Sequence, residues 1–140
     1  MRKITTLRRL MSSKRSGISI VDGAAEALPF ADGAVDAIWS VNTMHHWHST
    51  AEGSAEIARV LRPGGRVLLV DENFADHRHP DSERWHERHD GNDHHGFSMV
   101  DAGEIGELMN AAGLSNVVAE ERDMAGRPVI AVSASAAQRS

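Results

Sequence analysis

The sequence predicts an α/β fold on a mostly parallel sheet that closes with an antiparallel hairpin. Three observations predict it. Short apolar runs alternate with segments of helical period, in the order strand, helix, strand, loop, helix, strand, strand. The run at residues 67–70, VLLV, is apolar without alternation, as expected of a strand with helices over both faces of its sheet. The chain has 140 residues, 41% hydrophobic and 25% charged, which suits one domain with a real core.

The elements follow in order. Residues 1–16 hold six basic side chains and no acid, and residues 2–13 read as a basic helix with Ile4, Leu7, Leu10 and Met11 on one side. The charge run reads as a solvated helix face rather than a nucleic-acid arm or a transit peptide, because the chain carries a net charge of −5 and its remainder is acidic. No apolar run approaches the roughly 20 residues that span a bilayer, and no secretory apolar stretch opens the chain. Neither a nucleic acid nor a membrane is therefore expected as a partner.

Ile18, Ile20 and Val21 read as a short strand ending at Gly23, and residues 28–33, LPFADG, as a turn. Residues 35–41, VDAIWSV, read as a buried strand. Ser49 and Glu52 have capping-box spacing for a helix whose apolar side would hold Ala51, Ala55, Ile57, Ala58 and Leu61, stopped by Pro63-Gly64-Gly65. Residues 72–97 lack a period and read as a His-rich lid with a short helix near residues 82–89. Ser98 precedes a helix with Ile105, Leu108, Met109 and Ala112 on one face, ending at Gly113. Strands are expected at residues 116–120 and 128–132 around a turn near Gly126, and residues 134–140 are expected to fray.

The absence of cysteine excludes a disulfide framework, a thiolate zinc site and a cysteine nucleophile, and fits a reducing cytoplasm. No serine-nucleophile motif, phosphate-cradling loop or paired-carboxylate signature is found. The nine histidines, His45, His46, His48, His77, His79, His86, His89, His94 and His95, fall in two loops. His86 and His89 would share a helix face near Glu87, Asp90 and Asp93, a ligand set that suits zinc, nickel or copper. The spacing fixes no third ligand and is not the H-E-x-x-H pattern, so no functional metal site is expected; adventitious metal binding is.

Three further segments carry more information together than singly: GAAEALPF at residues 23–30, VDAIWSVNTMHHW at 35–47 and AEIARVLRPGGRVLLVD at 55–71. In this order and spacing the chain resembles the small-molecule class I S-adenosylmethionine-dependent methyltransferases, of the methyltransferase type 11-like kind, over residues 17–133. The resemblance implies a partial Rossmann-like sheet with the cofactor at the carboxyl ends of its strands. It also implies a truncation. There is no G-x-G loop, and residues 1–16 are too short for two strand–helix units, so the first two strands are missing and residues 2–14 match the end of the helix before the third. The expected organisation is a basic helix at 1–16, a partial methyltransferase domain at 17–133 with its lid at 72–97, and a frayed tail at 134–140.

The resemblance places cofactor contacts at Ala24, Ala25 and Glu26, at Ser40, Val41 and Asn42, and at Trp47 beside the sulfonium. The family usually has Asp where Ala24 stands. Losing its charge-assisted hydrogen bond costs roughly 1.5–3 kcal/mol, while the Ala25 amide needs no side chain to reach the adenine ring. Trp39, inside a strand, reads as core. His45 or His46 follows the strand end and would take a proton from the acceptor; the other reading of the His-His-Trp run is loop packing. The implied function is methyl transfer from S-adenosylmethionine, with S-adenosylhomocysteine as product, to a small-molecule acceptor. The alternatives are a non-catalytic remnant or interaction module and a His-rich metal-binding protein. With two strands missing, exposed edges invite a homodimer, a rearranged sheet or a partner that supplies the missing half.

Overall fold

A computed structural model describes residues 17–84 and 101–138. Its elements are β1 (Val35–Val41), a 3₁₀ turn (Met44–His46), α1 (Thr50–Val60), β2 (Leu61–Glu72), α2 (Ala102–Ala111), β3 (Leu114–Met124) and β4 (Arg127–Ala136). One four-stranded sheet holds them in the order β1-β2-β4-β3. The fold class is α/β, as expected, and the sheet is mixed. β1 and β2 run parallel, while β4 enters between β2 and β3 and is antiparallel to both. Parallel pairing among the described strands is thus confined to β1–β2, because the hairpin return places a reversed strand in the middle of the sheet.

The amino-terminal expectation changes most. Residues 18–21 form no strand, and Ile18, Ile20 and Val21 stand exposed. The expected basic helix at 1–16 lies outside the described residues.

Residues 24–34 are organised by one arginine. Arg59 of α1 donates from Nε and Nη2 to the Glu56 carboxylate, from Nη1 to the Phe30 carbonyl and Asp32 Oδ1, and from Nη2 to the Leu28 carbonyl, at 2.8–3.0 Å. All five donors of the guanidinium are used. Glu56 Oε2 accepts in turn from the Leu28 amide at 2.8 Å. This set clamps the Leu28–Asp32 turn onto α1 and delivers the chain into β1.

The clamp titrates. The Arg59 side chain holds the Glu56 carboxyl down to about 2, with the Leu28 amide adding to the effect. A carboxyl depressed on folding stabilises the native state above its unfolded pKa of about 4.5 and loses that contribution as pH falls toward about 2. Asp76, held down to about 2 by Arg78, adds its own loss between its ordinary 3.8 and about 2. Glu56→Gln is therefore expected to flatten, without abolishing, the loss of stability between pH 4.5 and 2, measured as urea midpoints across that range.

α1 begins where the capping residues predict, with Ser49 Oγ accepting from the Glu52 amide at 3.1 Å. The reciprocal bond does not come from Glu52: the Ser49 amide donates to Glu26 Oε1 at 3.0 Å, 23 residues upstream. The buried side of α1 is Gly53, Ser54, Ile57 and Val60, with Ala58 half-buried, while Ala51 and Ala55 face solvent. Ile57 and Leu61 are buried as expected, whereas Gly53, Ser54 and Val60 take the places expected of Ala51 and Ala55.

The helix ends at Val60, ahead of Pro63-Gly64-Gly65, which instead forms an irregularity in β2. Val35 pairs with Leu61 and Ala37 with Arg66, so the β2 side carries three extra residues. A Cβ on Gly65 would sit 2.9 Å from the Arg62 carbonyl oxygen and 3.0 Å from that of Asp36, so two backbones close around this position. Downstream, the VLLV run alternates: Val67 and Leu69 are buried, Leu68 is exposed and Val70 half-buried. Among the described residues only one face of the sheet is covered.

α2 is capped by Asp101, whose Oδ1 accepts from the Glu104 amide at 2.9 Å, three residues after the expected Ser98. Ile105 and Met109 fill the core with Ile57, Val67, Leu69, Leu114, Ile130 and Val132 between the helices and the sheet. The two final strands are longer than expected. β4 continues to Ala136, and Ala134 and Ala136 are buried, so the sheet holds residues that were assigned to the frayed tail. The short helix expected near residues 82–89 starts at 82–84, beyond which the lid lies outside the described residues.

The hairpin turn is Ala125-Gly126, with φ of +55° and +82° and Met124 paired to Arg127. Positive φ at both central positions is the type I′ geometry, which suits Asn-Gly and strains alanine. Ala125→Asn is expected to stabilise the chain by about 0.5–1 kcal/mol, read as a raised urea midpoint at unchanged slope.

Candidate active site

The carboxyl ends of the parallel pair β1–β2 carry the polar cluster. As β1 ends, the Asn42 amide donates to the Val70 carbonyl at 2.8 Å and Asn42 adopts a φ of +54°. Asparagine tolerates this left-handed conformation better than most residues. Ser40 Oγ and Thr43 Oγ1 hydrogen-bond across the bend. The chain then enters the 3₁₀ turn, where the His46 amide reaches the Thr43 carbonyl at 2.9 Å and the Trp47 amide that of Met44 at 3.0 Å. Met44 is fully buried in the core and anchors the turn.

His45 and Asp71 meet here. Asp71, the last core-facing residue before the end of β2, is fully buried. Its Oδ2 accepts from the His45 amide at 2.8 Å, and its Oδ1 accepts from the Glu72 amide at 2.8 Å and from His45 Nδ1 at 2.7 Å. With both carboxylate oxygens already taking backbone N–H groups, Nδ1 is the donor of the ring contact, which places the lone pair of the neutral imidazole on Nε2. A polar residue closing the most apolar run of the chain was the sequence signal for Asp71.

Further rings extend the cluster. His46 is exposed, with its ring centroid 4.1 Å from that of His45. Phe74 stands edge-on to His45 at 5.5 Å and packs on His79 at 4.6 Å. His79 is buried; its Nδ1 accepts from the Asp81 amide at 3.1 Å, and its Nε2 faces Glu72 Oε1 at 3.6 Å. Arg127 Nη2 approaches the same Glu72 oxygen at 3.3 Å. Glu72, Phe74 and Arg127 were not singled out from sequence; β4 brings Arg127 to Glu72 from 55 residues away.

The expected cofactor contacts divide into three groups. Ser40, Val41 and Asn42 lie together at the end of β1. Ala24 and Ala25 lie in a tight turn closed by the Ala27 amide on the Ala24 carbonyl at 3.1 Å. Glu26 and Trp47 are committed elsewhere. The Glu26 carboxylate caps α1; burial pushes its pKa up, but amide donation led by Ser49 outweighs that and holds it below the usual range. Trp47 lies on the backbone of Gly53, where a Cβ would approach the indole to 2.6 Å, and it packs against the core. Trp39, read as core, is 76% exposed. The two tryptophans have exchanged their expected environments.

Among the described residues no group of three or more His, Asp or Glu side chains is arranged to hold a metal ion. His86, His89, His94 and His95 lie outside the described residues.

The comparisons with known proteins bear on this geometry. Residues 3–69 match the methyltransferase domain family. The match takes in just under half of the chain, and the sheet has the fold of S-adenosylmethionine-dependent methyltransferases. Its stretch of 54 residues is 44% identical to the protein YafE of Escherichia coli, covering 39% of this chain and 26% of YafE. A stretch of 59 residues is 37% identical to the glycine/sarcosine/dimethylglycine N-methyltransferase of Actinopolyspora halophila, covering 42% of this chain and 10% of that enzyme. A SAM-dependent methyltransferase of Thermotoga maritima superposes with a TM-score of 0.67 over 85% of this chain and 64% of its own, at 17% identity, a likeness of fold. The matched stretches thus span about a quarter or less of these two curated relatives. In open α/β sheets ligands bind outside the carboxyl ends of the parallel strands, and the His45–Asp71 cluster sits at those ends of β1 and β2. No described helix is long and apolar enough to cross a membrane.

Proposed function

We propose that this chain serves methyl transfer from S-adenosylmethionine to a small-molecule acceptor. The observation that carries the reading is the buried His45–Asp71 pair at the binding edge of a methyltransferase sheet. A fully buried carboxylate with three N–H donors is an expensive arrangement that fixes one imidazole in one orientation. The residues that fit the cofactor are the backbone of Ala24 and Ala25 and the strand end Ser40–Asn42, and the cofactor when bound supplies an electrophilic methyl group. Glu26 and Trp47 hold the loops around it rather than touching it. His45, oriented by Asp71, backs the exposed His46, and His46 faces the acceptor and takes its proton, since transfer to oxygen or nitrogen releases one.

The open face of the sheet supports a second reading, a methyltransferase-like interaction module that works with a partner or as part of a longer chain. Calorimetric titration of S-adenosylmethionine and S-adenosylhomocysteine into the 140-residue chain separates the two. Saturable micromolar binding that survives His46→Ala, with transfer lost, is the expected result. Absence of binding up to millimolar ligand overturns the enzymatic reading for this chain alone.

A further inference from the structure

The chain leaves β2 in three consecutive turns. The Asp76 amide closes on the Asn73 carbonyl at 3.2 Å, the His79 amide on that of Asp76 at 2.9 Å, and the Ser82 amide on that of His79 at 3.0 Å. The Asn73 amide ties the start of the run to β4 through the Pro128 carbonyl at 3.0 Å, and Ser82 Oγ donates to the His77 carbonyl at 3.3 Å. Into this strap the His79 side chain is completely buried. Its Nδ1 accepts from the Asp81 amide, which puts the ring hydrogen on Nε2. That N–H has no acceptor within hydrogen-bond reach among the described residues; Glu72 Oε1 stands 3.6 Å away, beside Arg127. Burying a polar ring with one donor unmet is costly, so hydrogen bonding alone does not account for an imidazole here. The ring's packing does.

His79, Phe74, His45 and His46 form a series of rings, with centroids 4.6, 5.5 and 4.1 Å apart, that runs from a fully buried imidazole to an exposed one. Both contacts of Phe74 lie in the range of favourable ring pairs. We infer that His79 is a positioning residue: acting through Phe74, it fixes the tilt of the His45 ring and so sets where His46 presents its imidazole. A single hydrogen bond from Nδ1 to Asp71 leaves the His45 ring free to tilt about that contact. The phenyl of Phe74, at 81° to the imidazole, removes that freedom while His79 backs it from the other side. Placement matters at this level, since a misplacement of 1 Å costs a reacting group roughly 100-fold in rate. The functional part of the inference rests on the reading of His46 as the group that meets the acceptor; the placement of the rings does not.

Imidazole NMR of the full 140-residue chain tests it, with the fold of each variant checked by urea denaturation. The unaltered chain is expected to show nuclear Overhauser contacts between the His45 and His46 rings. His79→Asn keeps an acceptor where Nδ1 stood and removes the ring, and the contacts are expected to weaken several-fold. His79→Phe keeps the ring and removes the acceptor, and is expected to retain them. A role confined to holding the Asp81 turn gives the opposite order. Unchanged contacts in His79→Asn overturn the proposal, as does their loss in a folded His79→Phe. If His79→Asn does not fold, Phe74→Leu carries the test, and contacts retained in that variant overturn the proposal. In methyl transfer, His79→Asn is expected to lower kcat roughly 100-fold at an unchanged Kd for S-adenosylmethionine, with recovery in His79→Phe; full transfer by a folded His79→Asn overturns the functional part. The ring contacts are read without cofactor, so failure of this inference is distinguishable from failure of the enzymatic reading.

Discussion

Asp71→Ala is expected to cost about 3–5 kcal/mol, the range for removing one partner of a buried polar pair. The carboxylate is fully buried and receives the His45 amide, His45 Nδ1 and the Glu72 amide. Alanine leaves all three donors without an acceptor in a site water does not reach, and each unsatisfied group costs roughly 1–3 kcal/mol. A marginal domain with about 5–15 kcal/mol in hand loses a large fraction of its stability. Asp71→Asn should fall between the two, since its single carbonyl oxygen replaces one of two acceptors and its amide group meets donors. Urea denaturation at neutral pH reads both. An Asp71→Ala midpoint within error of the unaltered chain would show that the pair does not hold the 3₁₀ turn.

Met44→Ala should cost about 2–5 kcal/mol, as large-to-small replacements in cores do. Met44 is fully buried in the central cluster and is the first residue of the turn that carries His45 and His46. Its loss opens a cavity and also loosens the seat of the site. The expected signature is a lowered urea midpoint with unchanged slope, with faster amide exchange at His46 and Trp47, whose amides close the turn. Met44→Leu conserves volume and should cost less than about 1.5 kcal/mol. If both variants were equally destabilised, shape at this position would matter more than volume.

The acid-side experiment on Glu56 and the hairpin replacement at Ala125 probe parts of the fold remote from the histidines. They show whether the loop clamp and the β3–β4 turn contribute independently of the site. Additivity is expected between them, because the two positions share no partner.

Local chemistry was legible in the sequence. Ser49 and Glu52 marked the start of α1, the Gly126 turn marked the hairpin, and the apolar runs at residues 35–41 and 67–70 marked β1 and β2. These signals depend on neighbours within four residues, so a one-dimensional reading captures them. The family resemblance was legible for the same reason, since its three motifs are contiguous, and it pointed to the loop after β1 that holds His45 and His46.

What the tertiary structure alone decided is which side of each element is covered. The VLLV run looks buried on both faces, yet Leu68 is exposed, because cover depends on where α1 and α2 land. Trp39 and Trp47 traded places for the same reason: an indole in a strand is core only if something lies over its face, and an indole in a loop is packed if a glycine such as Gly53 leaves room. Ile18, Ile20 and Val21 have strand-like side chains, yet residues 18–21 form no strand and these side chains stand exposed. Asp71 reads as the end of a strand until the fold brings His45 to it from 26 residues away. The sequence by itself determined β1, α1, β2, α2, β3 and β4, their order and the family resemblance; burial, pairing and the joining of His45 to Asp71 are long-range contacts, which exist only once the chain has closed on itself.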